Sequence, residues 1–345
     1  MVKIEHKRAR LVFRLGDLKL EWTIEPRYWR NHFIAIALLL LLILGLSGKP
    51  DLLSLITTAN IYACIAIPLG WQITGTGRMN FGPQFFVGIG GFTAALASIY
   101  WGWNPWQSLV LTILVSLLFA LLLSRLTVIA KGLYFSLITL LLPLIFLEFT
   151  NIFNRVFRGE TGLSGIAHII DVGDIGRNYL LGCLMSLGLM LVFLYVVDKV
   201  LRSRWGVYAA AINDNENVAN MLGLNINRYK IVTFAMTSVM IGIAGWFAAH
   251  YFGTFAGITY LPLTFMVKIL LVIFIGGRAQ VFGCVAGGYF IAFLEMILIA
   301  TLGAIQPVVF PIILFILLFA LPEGLFGIYR KRRYREYLPT LHVRR

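Results

Sequence analysis

Arg202–Lys230 reads RSRWGVYAAAINDNENVANMLGLNINRYK, a polar interruption between two long apolar runs. Inside it the residues mark out a short helix, Asp214–Leu222. Asn213 and Asp214 are residue types that cap helix N-termini, and Glu216 stands three residues after Asn213, the spacing of a capping box. Gly223 follows Leu222 and can adopt the left-handed conformation that ends a helix. Val218, Ala219, Met221 and Leu222 give this helix an apolar face. A capped amphipathic helix lying between membrane spans needs a surface on which to bury that face, which points to a partner outside the bilayer.

Working outward, the flanking sequence is membrane. Hydrophobic residues make up 59% of the 345 and charged residues only 13%, about half the charge content of a soluble domain. The fold class expected is an all-α polytopic membrane protein. With roughly 20 apolar residues needed per crossing, about ten transmembrane helices fit: 33–47, 54–73, 84–101, 106–123, 132–150, 179–198, 231–251, 261–276, 282–302 and 306–321. The chain then divides into a basic N-terminal segment 1–32, a transmembrane domain 33–321 carrying the polar loop 202–230, and a basic tail 322–345. The first apolar run starts near Phe33, too late for the h-region of a cleavable signal peptide. Cys64, Cys183 and Cys284 all fall in apolar runs and are expected to be free.

The net charge of +14 would suit nucleic acid, but in a membrane protein it reads as loops rich in Lys and Arg on the inner side. With the N-terminus inside, 24 of the 29 Lys and Arg fall on the inner side, four on the outer, and Lys268 within a span. The positive-inside rule therefore puts both termini and Arg202–Lys230 in the cytoplasm.

Two glycine-rich segments stand out. Thr74–Phe92 reads TGTGRMNFGPQFFVGIGGF, with Gly75, Gly77, Arg78, Asn80, Gly82, Gly88 and Gly90 as its candidate path or packing residues. Two readings fit it: a broken or re-entrant element lining a path, or a tight cytoplasmic turn followed by a glycine-packed helix. Gly276–Gly288 reads GGRAQVFGCVAGG. Gly276 and Gly277 open it, and Gly283 and Gly287 form a GxxxG pair, read as packing ahead of a ligand role. GRMNFG at Gly77–Gly82 and GRAQVFG at Gly277–Gly283 echo one another, compatible with a parallel internal repeat.

Lys268 is an ionisable residue inside a span, a functional candidate by default. Glu295 lies at a matching depth on its own helix, and a structural ion pair between them is the preferred reading over substrate contact. No GxxxxGK[ST] sequence is present, so no nucleotide-binding loop is expected in this chain. The five histidines lack metal-ligand spacing, and no catalytic constellation is evident. No catalytic residue, metal site or bound cofactor is therefore expected.

These motifs together resemble a family. TGTGRMNFGPQFFVGIGGF is similar to the glycine-rich signature of branched-chain amino-acid ABC transporter permeases of the LivM type. KGLYFSLITLLLPLIFLEF from Lys131, TGLSGI at Thr161–Ile166, the loop from Val207 through His250, IGGRAQVFGCVAGG and LPEGLFGI follow in the family's order. Ala219, Gly223, Tyr229 and Lys230 stand in register with the family's loop. The resemblance runs from about residue 55 to 328 and implies an importer permease, not an enzyme. It implies partners as well: two ABC ATPase subunits that use ATP, a second permease subunit in a heterodimer, and an extracytoplasmic substrate-binding protein, with the chain in the plasma (inner) membrane. Asn213, Asp214, Glu216, Ala219, Leu222 and Gly223 then form the ATPase-coupling helix. Departures at Arg78, Pro83, Leu144 and Lys268 leave the substrate open among branched-chain or other hydrophobic amino acids and the urea and short-amide relatives. A stand-alone secondary transporter or channel is the rival reading; it would need no ATPase.

Overall fold

The computed structural model describes residues 4–5, 8–15, 18–24, 39–40, 43–46, 48–130, 132–221, 223–277 and 281–320. Leu222, Arg278 and the tail 322–345 lie outside the described residues, as does most of the expected first span 33–47. Eight helices among the described residues are long and apolar enough to cross a membrane, so the protein is a polytopic membrane protein. The long helices are α1 (Pro50–Thr76), α2 (Pro83–Trp101), α3 (Pro105–Ile129), α4 (Leu133–Ile152) and α5 (Ile175–Leu201). Two short helices, α6 (Arg204–Asp214) and α7 (Glu216–Met221), then precede α8 (Ile226–Phe252), α9 (Leu263–Gly276) and α10 (Val281–Leu302). The expected tenth span holds α11, whose described residues run Gln306–Ala320.

The spans are helical, as expected, and strands appear outside them. Within 1–32 the backbone forms three strands, β1 (Ile4–Glu5), β2 (Arg8–Leu15) and β3 (Leu18–Ile24), paired antiparallel with Leu15 opposite Leu18 and Ala9 opposite Ile24. LKLEWTI alternates apolar and polar residues, the period of a strand and not of a helix.

Proline at the first turn of α1, α2 and α3 starts each helix where its missing N–H is no loss. The centre of the bundle is α1, α2 and α8, buried nearly all round. α8 runs along α2 and α3, and α1 runs along α5 and α10. α3 reverses the soluble pattern. It exposes Val110, Leu114, Leu118 and Leu122 and turns Ser108, Thr112, Ser116, Ala120 and Ser124 inward. Lipid is as apolar as leucine, so helix association rests on close packing, and small residues belong at the contact.

The same logic decides between the two readings of Thr74–Phe92. The segment is the end of α1, a turn over 77–82, and an unbroken α2; the broken or re-entrant reading is corrected. The glycines serve contact. A Cβ on Gly90 would stand 1.9 Å from the Gly242 carbonyl oxygen, one on Gly88 2.7 Å from Leu261 Cδ2, and one on Gly82 2.3 Å from the Thr139 carbonyl oxygen. In the second segment, Cβ atoms on Gly276 and Gly287 would stand 2.1 Å from the carbonyl oxygens of Gly283 and Val272, packing α9 on α10. Gly277 caps α9 at φ +95°.

At the end of the bundle opposite α7, the loop after α4 is held down rather than loose. It contains a one-turn helix at Asn154–Phe157 and a strand β4 (Leu163–Ser164) that pairs with β5 (Thr254–Phe255). The Ala167 N–H donates to Ser98 Oγ at 2.9 Å, and His250 Nδ1 donates to the Ala167 carbonyl at 2.7 Å.

Candidate functional site

Ser203 caps α6 by accepting from the Trp205 N–H at 3.2 Å, and α6 continues through Asn213 and Asp214. Asn215 then interrupts the helix. Its Oδ1 accepts from the N–H groups of Asn217 and Val218 at 3.0 and 3.2 Å, so Asn215 is the N-cap of α7. This corrects the reading of Asn213 and Asp214 as caps: both belong to the last turn of the preceding helix. The capping box is likewise absent, because Glu216 is the first residue of α7 and its carboxylate points elsewhere. Gly223 takes φ +79°. Its N–H donates to the Asn220 carbonyl at 3.0 Å and the Leu224 N–H to the Ala219 carbonyl at 3.2 Å, a left-handed helix stop.

α6, α7 and the start of α8 share a small core of Ala209, Ile212, Ala219, Ile226 and Tyr229, edged by Trp205 and Leu224. Trp205 stacks on Tyr229 with ring centroids 5.3 Å apart. Ala219 is 1% exposed. Its expected place on an outward docking face is therefore corrected: it is the knob that seats α7 on the rest. The outward apolar residues of α7 are Val218 and Met221, three apart and so on one face, and Met221 is 86% exposed.

Beneath α7 lies an ionic anchor. The Glu216 carboxylate accepts from Lys230 Nζ and, at 3.5 Å, from Arg78 Nη2. Arg78 Nη1 also donates to the carbonyls of Thr127 and, at 2.6 Å, Ala130. Those carbonyls close the C-terminal end of α3, where the helix dipole is negative and favours a cation. Arg78 is 8% exposed and Lys230 2%, so both cations sit away from water. Partial burial opposes ionisation of Glu216, but the hydrogen bond and charge of Lys230, with the charge of Arg78, outweigh it and lower its pKa below the ordinary carboxylate value. The turn after α1 touches the same element through its glycines. A Cβ on Gly77 would stand 3.0 Å from Asn213 Oδ1, and one on Gly75 2.6 Å from Tyr229 Oη. Asn80 lies just beyond, donating to Gln72 Oε1 at 3.1 Å.

A second polar cluster lies inside the bundle. Lys268 Nζ donates to Glu295, and Tyr62 Oη donates to the same carboxylate at 2.9 Å. Lys268 also stands 5.2 Å from the Phe310 ring centroid. Nearby on the α1–α10 contact, Tyr289 Oη donates to Asn60 Oδ1 at 2.6 Å and Asn60 Nδ2 to Ser186 Oγ at 2.8 Å. These uncharged partners carry no sequence motif. The convergence of Arg78 and Lys230 on Glu216 was equally hidden, since they lie 138 and 14 residues from it. Among the described residues no group of His, Cys, Asp and Glu could hold a metal ion.

The family described as branched-chain amino acid transport system / permease component matches residues 52–322. The chain is 26% identical over 255 residues to the high-affinity branched-chain amino acid transport system permease protein LivM of Salmonella typhimurium, covering 66% of this chain and 59% of that protein. It is 25% identical over 292 residues to the ribose import permease protein RbsC of Haemophilus influenzae, covering 82% of this chain and 86% of that one. LivM of Escherichia coli is 24% identical over 255 residues, again 66% and 59%. The chain thus matches less than two thirds of the length of either LivM protein. No solved structure matches it significantly.

Proposed function

This chain belongs to the branched-chain amino acid transport permease family, a family of non-catalytic transport subunits, and from that premise we propose that it is the membrane-spanning subunit of an ATP-driven importer. In this reading α7 docks on an ATPase subunit from the cytoplasm, one of two that use the ATP. A second permease subunit completes the pathway, and an extracytoplasmic binding protein delivers the substrate. Both termini and α6–α7 face the cytoplasm of a plasma (inner) membrane, in keeping with 24 of 29 Lys and Arg on that side.

The observation that carries the reading is α7. It is a short helix outside every span, seated by Ala219 and stopped at Gly223, and it presents Val218 and Met221 outward with nothing among the described residues to cover them. A partner on that side is the simplest cover for two exposed apolar side chains on one face. The substrate favoured is a branched-chain or other hydrophobic amino acid, in line with the family's description and the two LivM relatives. A sugar is the second reading, because the ribose permease aligns over 82% of this chain against 66% for LivM.

Met221→Glu tests the docking. At so exposed a position the change should leave the permease folded, within about 0.5 kcal/mol of the parent. It should cut retention of co-expressed ATPases on the purified permease about tenfold, equivalent to ~1.4 kcal/mol, and abolish substrate-stimulated hydrolysis. Retention and hydrolysis equal to the parent would remove α7 as the docking helix. Ala219→Glu is no substitute for this test, because a carboxylate there would enter the small core and unseat α7 whatever lies outside.

A further inference from the structure

We propose that Glu216 is a positioning residue that latches the docking helix to the α1–α2 turn and to the end of α3, so that α7 cannot be displaced without moving both. The inference rests on the importer reading and names the route by which motion enters the bundle.

Three observations carry it. Glu216 bonds at once to Arg78 on the turn and Lys230 on α8, the two nearly buried cations beneath α7. Without the carboxylate, the Arg78 guanidinium, 8% exposed, would lose the negative charge that offsets its own. α7 therefore takes its cations with it rather than lifting off them. Second, Arg78 is bonded on its far side to the Thr127 and Ala130 carbonyls. Guanidinium is planar with donors fixed in a fork, so one side chain ties Glu216 to the last turn of α3. Third, the turn has no soft layer between itself and α6 and α8. A Cβ on Gly77 in the turn would stand 3.0 Å from Asn213 Oδ1, and one on Gly75 in the last turn of α1 2.6 Å from Tyr229 Oη. A displacement of α7 passes through an ion pair and close glycine contacts into α1, α2 and α3. α2 and α3 both pack along α8, so the displacement reaches the centre of the bundle.

The test uses the complete complex of permease and ATPases in lipid nanodiscs and liposomes. Spin labels replace Asn217 on α7 and Ile129 at the end of α3, both exposed. In the parent the Asn217–Ile129 distance should stay within about 2 Å between the nucleotide-free and ATP-bound complexes, a margin below which interface backbones ordinarily shift on binding. In Glu216→Gln, which keeps side-chain size but loses the charge, the distance should change on ATP binding by more than that. Leucine moved per ATP hydrolysed, or ribose where the parent moves ribose instead, should fall about tenfold while ATPase retention stays at the parent level, since Val218 and Met221 are untouched. Glu216→Asp, which keeps the charge, should recover part of the coupling. Arg78→Lys keeps a cation but not the fork, so it should uncouple in the same direction, and it serves as the reading if Glu216→Gln does not accumulate. A fixed distance and parental coupling in both variants would overturn the latch. Failure of the parent to bind ATPases at all would instead remove the importer reading beneath it.

Discussion

Gly90→Leu is expected to abolish accumulation of the folded permease. α2 and α8 meet backbone to backbone. A Cβ on Gly90 would lie 1.9 Å from the Gly242 carbonyl oxygen, and one on Gly245 2.2 Å from that of Val87. The other face of Gly242 is also closed, its Cβ position being 2.3 Å from Ser116 Oγ. α8 therefore cannot retreat from α2 without being driven into α3. Overpacking by single methylenes in a closed core costs about 1–3 kcal/mol. A leucine inserted between two backbones exceeds that, against a total stability of about 5–15 kcal/mol in folded domains. Yield of monodisperse protein in detergent and its melting temperature measure the effect. Gly188→Leu is the control, because nothing lies within 4 Å of that glycine's Cβ position, and it should behave as the parent. A Gly90→Leu protein that melts with the parent would mean that the α2–α8 contact is not as drawn.

Lys268→Met should destabilise by about 3–5 kcal/mol, the cost of breaking a buried ion pair by removing one partner. The side chains of Lys268 and Glu295 are each 17% exposed, and the surroundings are membrane. Without the ammonium, only the Tyr62 hydroxyl among the described residues still donates to the Glu295 carboxylate. Lys268→Met with Glu295→Gln removes both charges and should recover most of the loss, leaving the missing cation contact with Phe310 and an imperfect amide. Chemical denaturation of the two variants beside Glu295→Gln alone closes the double-mutant cycle. Equal stability of the single Lys268 variant and the parent would show that the pair contributes nothing.

The spans were legible because a crossing needs a long apolar run, and that signal survives without any tertiary information. Gly223 was legible for a local reason too: a helix that ends needs a residue tolerant of positive φ, and few residue types are. The start of α7 was not. Asn213, Asp214 and Asn215 are three consecutive capping types, and only the backbone hydrogen bond from Asn215 to Ala211 decides that α6 runs through the first two. The direction of Ala219 was hidden for the same reason, since a two-residue shift of the helix start turns each side chain through about half a revolution. The depths of Lys268 and Glu295 could be counted from their helix ends, whereas the Arg78–Glu216–Lys230 anchor joins elements far apart in the chain and leaves no periodic trace. The strands within 1–32 follow the period-two alternation of Leu18–Ile24, a signal separate from the charge on which that segment is read.

The most direct test of the account is a photo-crosslinking amino acid at Asn217, exposed on α7, in cells that express the complete complex. Trp101, at the far end of α2 and also exposed, carries the same probe in a parallel strain. The account predicts an adduct between the Asn217 probe and an ATPase subunit, identified by mass, and none from the Trp101 probe. An ATPase adduct from Trp101, or its absence from Asn217 while the complex remains assembled, would contradict it.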